Sequence, residues 1–353
     1  MSIEISKIDP NVLSQCAINQ NEAVFYDAES GPFRIYGVRR EGTHFRRIPD
    51  EVARSVSQGV YDLHTFTSGG RIRFVTDSDF VAIFAKDTYI ANFSFMCRTG
   101  AGGLDLYVGA GRNPQYVGTF HPPVEPAKDF QGIIRFSSRE KRCITINLPQ
   151  YGFMKKLYIG LNRDAVLETA PDYTVEKPIV YYGSSITNGC AVSRPGNSYE
   201  SLLSRWLDCN YRNLGFAGNA KGEDAMTDYI ASLDMSAFVM DYDHNAPTVE
   251  HLRATHERMF RRIRAAQPEL PILIMSRPKI HLLPHEEERL SIIRETYEHA
   301  IAQGDRNVYM LDGKALMAIA GEDGLVDNCH PNDLGFFSMA RAVEPVLRQM
   351  LNL

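Results

Sequence analysis

The sequence predicts two domains: an all-β sandwich of jelly-roll type over residues 1–170, then a doubly wound, three-layer α/β domain with a parallel sheet over residues 171–353. Three observations lead there. At 353 residues the chain exceeds one ordinary compact domain. Short runs rich in β-branched and aromatic residues fill its first half. Past a polar, proline-containing connection, LETAPDYTVEKP, the pattern changes to short apolar runs separated by amphipathic stretches.

In the first half the runs are RIRFVTDSDFVAIFAK, ANFSFMCRTG, GLDLYVG, QYVGTF and RCITINLPQ. Ile72, Phe74 and Thr76 alternate with Arg71, Arg73 and Val75, and Ile144, Ile146 and Leu148 alternate with Thr145 and Asn147. That is the period of a strand with one buried face. Gly, Pro, Asn and Asp clusters punctuate the runs at intervals suited to an antiparallel sandwich, and long helical periodicity is absent. GAGG at 100–103 precedes no helix and reads as a hairpin loop, not a phosphate cradle.

In the second half IVYYG, YRNLG, AFVMDY, PILIMS and NVYML are short and apolar on both faces, as buried parallel strands are. The stretches between them read as helices. Val249, Leu252, Met259, Ile263 and Ala266 share one helical face, as do Leu290, Ile293, Tyr297 and Ile301, and Gly304 is placed to stop the second helix. The active edge of such a domain lies at the carboxyl ends of its strands.

A net charge of −5 provides no field for gathering nucleic acid or anionic membrane, and Arg261, Arg262 and Arg264 read as a solvated helix face. The start, MSIEISKIDPNVL, lacks the basic and apolar regions of a secretory signal, and no run reaches the about 18 residues of a membrane span. A cytoplasmic protein is therefore expected, with a mature secreted form as the alternative; the sequence is also compatible with a homo-oligomer. The six cysteines, at 16, 97, 143, 190, 209 and 329, are widely and irregularly spaced, which favours reduced thiols. His281 and His285 have the spacing of a helical metal pair, but Pro284 between them favours a loop. No metal or organic cofactor is expected.

The chemistry is expected where GSSITNG follows the first parallel strand. A serine hydroxyl there needs a histidine to take its proton and a carboxylate to hold the imidazole. In VDNCHPND, Asp327 stands three positions before His330 and can fold back onto Nδ1, although an Asp-x-x-His ahead of a helix also suits capping. An oxyanion requires donors from another side. Gly218 follows the second strand and Asn245 the third; each is equally natural as a turn residue. His244 beside Asn245, and Arg277 after the fourth strand, are candidates for contacting substrate; for Arg277 the alternative is a structural ion pair.

Together these blocks resemble the SGNH hydrolases, also called GDSL esterases or lipases, over about residues 178–350. Their first block matches Gly183, Ser184, Ser185, Ile186 and Thr187, which places the nucleophile on Ser185. The oxyanion glycine falls on Gly218, the oxyanion asparagine on Asn245, and the closing Asp-x-x-His-Pro on Asp327, His330 and Pro331. Two positions depart from the pattern: Ser184 replaces the usual aspartate, and Asp243 with Ala246 replace the outer residues of Gly-x-Asn-Asp. GGLDLYVG at 102–109 is similar to the Gly-x-Asp-Leu-Tyr signature of a β-sandwich that precedes such domains, and reads either as an element contacting substrate or as an ordinary strand after a glycine turn. The resemblance implies a serine esterase working through an acyl-enzyme on small acyl esters, with an acetylated sugar as the expected substrate. The alternatives are an acyltransferase with a non-water acceptor, and a noncatalytic carbohydrate-binding protein.

Overall fold

The computed structural model describes residues 23–124 and 128–353, so the readings of Cys16 and of the amino-terminal stretch lie outside the described residues. The first half forms two antiparallel sheets. One has the order Ala23–Asp27, Lys156–Asn162, Phe80–Lys86, Phe130–Arg135. The other runs Leu167–Glu168, Arg71–Thr76, Arg142–Asn147, Leu104–Val108, Gln115–Phe120, with Arg34–Tyr36 also paired to Arg71–Thr76. The chain passes back and forth between the sheets in the jelly-roll manner. Ile72, Phe74, Leu106 and Ile144 of one sheet meet Ile83 and Ile159 of the other in a core with no exposed side chain among them.

Four expectations for this half are corrected. ANFSFMCRTG is not a strand: only Tyr89–Ile90 ahead of it pairs, with Gly152–Phe153, and Arg98–Gly102 closes a helical turn where a hairpin loop was expected. Asp50–Val56 and Gln58–Leu63 are helices, of 7 and 6 residues, too short to print a period in the sequence. The strand Arg71–Thr76 is buried on both faces. Ile72 and Phe74 enter the sandwich, while Arg71 and Arg73, each 2% exposed, are covered by the second half. Arg71 donates to the Asn210 side chain (2.7 Å) and the Tyr211 carbonyl (3.0 Å) and lies 3.8 Å from the Tyr211 ring centre, and Arg73 lies 4.1 Å from that of Tyr173. A planar, weakly hydrated guanidinium tolerates such burial where an ammonium would not.

The second half is built on a parallel sheet of β1 (Val175–Gly183), β2 (Cys209–Gly215), β3 (Ala237–Asp241), β4 (Ile272–Met275) and β5 (Val308–Leu311), in the order β2-β1-β3-β4-β5. Successive β1 side chains go to opposite layers. Ile179 and Tyr181 pack under α1 (Tyr199–Leu207) and α5 (Asp333–Leu351). Val180 and Tyr182 pack under α2 (Asp224–Ala231), α3 (Val249–Ala266) and α4 (Pro284–Ala302). Pro284 begins α4, leaving His281 outside it, and Gly304, with φ +87°, lies just past its end. The predicted face of α4 is rotated: Ile301 is 47% exposed, and the buried positions include Glu286 and Arg289, which join an ionic cluster described below.

Both layers draw on the first half. Phe66, Met96 and Tyr151 enter the core beneath α1 and α5, and Ile48, Ala53 and Val60 enter the other. Among the described residues no helix is long and apolar enough to cross a membrane, and the five described cysteines are unpaired. Because the order reverses at β1, with β2 on one side and β3 on the other, the crevice for a ligand opens at the carboxyl ends of β1 and β3.

Candidate active site

The crevice begins where β1 ends. A Cβ on Gly183 would run into the Thr187 hydroxyl and the Asp241 carbonyl, so only glycine lets the chain turn there. The turn is closed by Asn188 N–H to the Ser184 carbonyl (3.0 Å) and Cys190 N–H to the Ser185 carbonyl (2.9 Å). Within it the two serines separate. Ser184 is 1% exposed, and its hydroxyl accepts the Ile186 N–H (3.1 Å), a bond the family's usual aspartate would also accept. Ser185 faces the crevice, and its hydroxyl donates to His330 Nε2 at 2.9 Å.

His330 arrives from the loop between β5 and α5. Val326 N–H donates to the His330 carbonyl (2.8 Å), and Asn328 adopts the left-handed conformation with φ +62°. This tight turn folds Asp327 onto the ring, so that Nδ1 donates to its carboxylate at 2.9 Å. The backbone N–H groups of His330 (2.8 Å) and Cys329 (3.2 Å) donate to the same carboxylate. Partial burial alone would raise the Asp327 carboxyl, but these bonds hold it below its ordinary range, and it stays ionised. Its side chain is 35% exposed, which screens its charge on the imidazole. Cys329 and Cys190 are pushed up by burial, the latter to about 12, which makes them inert as thiolates.

Candidate donors for a developing negative charge stand on the loops after β1, β2 and β3. Among the described residues no protein acceptor takes the N–H of Ser185 or of Gly218. Gly218 has φ +69°, and a Cβ there would meet nothing within 4 Å; glycine is required by the backbone conformation, not by crowding from the protein. Asn245 follows β3 in the turn Asp243–Asn245, and its Nδ2 donates one hydrogen to the Phe216 carbonyl at 2.8 Å, leaving the second to point elsewhere.

An ionic cluster fixes that turn. Asp243, 2% exposed, accepts two side-chain hydrogen bonds from Arg277 at 3.0 Å each. Arg277 also donates to Glu286 (2.6 Å), which Lys279 joins at 3.1 Å. Arg289 donates to the carbonyls of Asp243 (2.8 Å) and Ala246 (2.6 Å), on either side of Asn245. Arg277 is thus the ion-pair partner and not a free cation for substrate: its guanidinium is 9% exposed and committed to two carboxylates. His244 sits in the same turn with Nδ1 3.7 Å from the Cys329 sulfur; burial, then the nearby Arg277 charge, push its pKa down to about 4, so it is neutral.

Sequence reasoning missed the contribution of the first half. The Phe95 ring stacks on His330 with centroids 5.3 Å apart and planes at 17°, Phe93 meets Tyr151 edge-on at 5.3 Å, and the Tyr151 hydroxyl donates to the Ser185 carbonyl at 3.2 Å. No local pattern marks Phe95, because its partner stands far along the chain. Arg289 was missed for the same reason. Chemically, the arrangement is a serine hydroxyl hydrogen-bonded to an imidazole that a carboxylate orients, a constellation able to perform acyl transfer.

Comparison with known proteins bears on the family and the fold. The GDSL-like lipase/acylhydrolase family profile matches residues 176–348, and that of the GxDLY amino-terminal domain of SGNH-hydrolase-type esterases matches residues 23–167. A search of the curated proteins finds no match. Among solved structures, one described as a GDSL-like lipase from Bacteroides ovatus has 26% identity and a TM-score of 0.82, covering 94% of this chain and 98% of that one. The salicylyl-acyltransferase SsfX3 of a tetracycline biosynthetic pathway has 18% identity and a TM-score of 0.76, covering 93% and 97%. The acetyl xylan esterase Est2A from the rumen bacterium Butyrivibrio proteoclasticus has 12% identity and a TM-score of 0.60, covering 94% and 99%. The two fold likenesses below 25% identity speak for architecture alone. With both halves matched in order, the chain belongs to the GDSL-type SGNH acylhydrolases that carry a GxDLY amino-terminal domain, and is a carboxylic-ester hydrolase.

Proposed function

We propose that the protein hydrolyses small acyl esters, acetyl esters of a sugar foremost, through an acyl-enzyme on Ser185. The single observation that carries this reading is the unbroken relay from Ser185 Oγ to His330 Nε2 (2.9 Å) and from His330 Nδ1 to Asp327 (2.9 Å). His330 takes the hydroxyl proton as Ser185 Oγ bonds to the ester carbonyl carbon, and the ionised Asp327 stabilises the imidazolium. The N–H groups of Ser185 and Gly218 and the free amide hydrogen of Asn245 receive the tetrahedral oxyanion. His330 returns its proton to the leaving alcohol; a water, deprotonated in turn by His330, then releases the acid and restores Ser185. Oxyanion donors alone are worth about 10²- to 10³-fold each in rate.

The acetylated-sugar preference is supported by the aromatic pair Phe93 and Phe95, the latter stacked on His330, since sugar rings pack on aromatic faces; an acetyl xylan esterase shares the architecture. His244, beside Asn245, is the residue we assign to substrate contact as a neutral group. The acyltransferase neighbour motivates a second outcome for the same acyl-enzyme, capture by an acceptor alcohol. Turnover of acetylated xylo-oligosaccharides and of 4-nitrophenyl esters from acetate to octanoate, with and without added acceptor alcohols, tests the assignment. Release of free acetate with a steep fall at longer acyl chains is expected. Transfer product in excess of free acid would make the protein a transferase, and activity confined to long acyl chains would remove the small-acyl reading.

A further inference from the structure

The Gly-x-Asp-Leu-Tyr motif takes no part in the chemistry above, yet it is bonded across the boundary between the halves at several points. Leu104 and Leu106 point into the sandwich core, so Asp105 and Tyr107 point the other way, toward the α/β half. Asp105 is 0% exposed, which rules out contact with substrate. Its carboxylate accepts the Asn147 amide (2.8 Å), Arg194 Nη1 (2.9 Å) and the Gly196 N–H (2.8 Å). Arg194 also touches the Tyr107 hydroxyl and lies 3.9 Å from the Tyr116 ring centre. At Gly196 a methyl group would run into both the Tyr107 hydroxyl and the Asp105 carboxylate.

The segment gripped in this way leads from the Ser185 turn to α1, and it holds the base from the side. Ser193 N–H donates to Asp333 Oδ1 (2.9 Å), and Asn197 Nδ2 donates to Asp333 Oδ2 (2.9 Å). Asp333 opens α5, three residues after His330. The sandwich reinforces the grip where Thr99 Oγ1 donates to the Ser193 carbonyl (2.6 Å) and Gln150 Nε2 to the Pro195 carbonyl (3.0 Å).

We propose that Asp105 is a positioning residue: through Arg194, Gly196 and Ser193 it latches the sandwich onto Asp333 and so sets the reach of the His330 imidazole to Ser185. Reacting groups must be held to about 0.5 Å, and loops left to themselves do not hold that tolerance. The inference rests on the proposed roles of Ser185 and His330.

The test is a double-mutant cycle in the full chain with Asp105→Asn and Asp333→Asn, following hydrolysis of 4-nitrophenyl acetate, the rate of Ser185 phosphonylation, and Tm. At temperatures well below Tm, Asp105→Asn is expected to lower kcat and the phosphonylation rate on the order of 10- to 100-fold with KM within about twofold. Adding Asp333→Asn should cost little more, because both break one connection. An unchanged kcat in folded Asp105→Asn, or full multiplication of the two effects, overturns the latch. Should Asp105→Asn fail to fold, Gly196→Ala wedges the same contact without removing a charge and carries the same expectation. If the wild type hydrolyses no ester, the functional proposal fails separately; the latch is then read from the His330 Nδ1–H proton resonance, expected to be sharp in the wild type and broadened in Asp105→Asn, with equal line widths overturning it.

Discussion

The two halves meet the crevice with different kinds of residue. From the α/β half come the residues proposed as nucleophile, base, orienting carboxylate and oxyanion asparagine, all on loops at the carboxyl ends of parallel strands. The sandwich brings a ring to His330 through Phe95 and a phenol to the Ser185 carbonyl through Tyr151, and neither group titrates in the working range. They also bury cations differently. Arg71 and Arg73 of the sandwich are covered by tyrosine rings, whereas Arg277 and Arg289 of the α/β half are organised around the Asp243 and Glu286 carboxylates. Rings and carbonyls cover Arg71 and Arg73, while full charges at short range hold the Asn245 turn in one conformation. On the proposed function, the first half shapes the site and the second reacts in it.

Substitutions test that division, and the largest effects belong to the reacting groups. Ser185→Ala and His330→Ala should each lower kcat on aryl acetates by about 10⁵- to 10⁶-fold, and Asp327→Asn by no more than about 10⁴-fold, since its carboxylate is partly screened by solvent. Asn245→Ala should cost about 10²- to 10³-fold in kcat with little change in KM. Asp243→Asn should lower stability to urea by about 3–5 kcal/mol, because it strips a carboxylate from two buried guanidinium groups. Phe95→Ala, on the sandwich side, should lower kcat only about two- to tenfold, the worth of an aromatic contact. A loss there as large as that of His330→Ala would erase the distinction between the halves.

The smallest expected effect is on acid stability. Burial would raise the Glu286 carboxyl, but the Leu283 N–H, Lys279 and Arg277 hold it at about 2, against 4.5 ordinarily. A depressed folded-state value means that its stabilising contribution is complete above about pH 4.5 and is lost as pH falls toward 2. Urea unfolding of Glu286→Gln across this window should show a flatter decline than the wild type. His244 acts with the same sign in a higher window: held neutral to about 4 against 6.5 ordinarily, it contributes fully above pH 6.5 and loses that contribution as pH falls toward 4.

What the sequence discloses follows the same line between the halves. Ser185, Asp327 and His330 are readable because each lies in a short block fixed by local turn geometry, and the fold brings those blocks into hydrogen-bond contact. Parallel strands are readable because both their faces are apolar. Arg71 and Arg73 mislead because a charged, alternating face looks solvated until another domain covers it with tyrosines. Glu286 and Arg289 are opaque for a related reason: charge on a helix face signals water, whereas here each meets a buried partner on a loop, Arg277 for Glu286 and Asp243 for Arg289. Phe95 and Tyr151 earn their places by contacts made only in three dimensions.

The central claim is that Ser185, and not its neighbour, is the residue His330 activates. Reaction of the wild type, Ser184→Ala and Ser185→Ala with a fluorophosphonate, followed by intact mass and peptide mapping, tests it most directly. One adduct per chain on Ser185 in the wild type and in Ser184→Ala, with none in Ser185→Ala, is the predicted result. Undiminished labelling of Ser185→Ala, or an adduct mapped to Ser184, would contradict it.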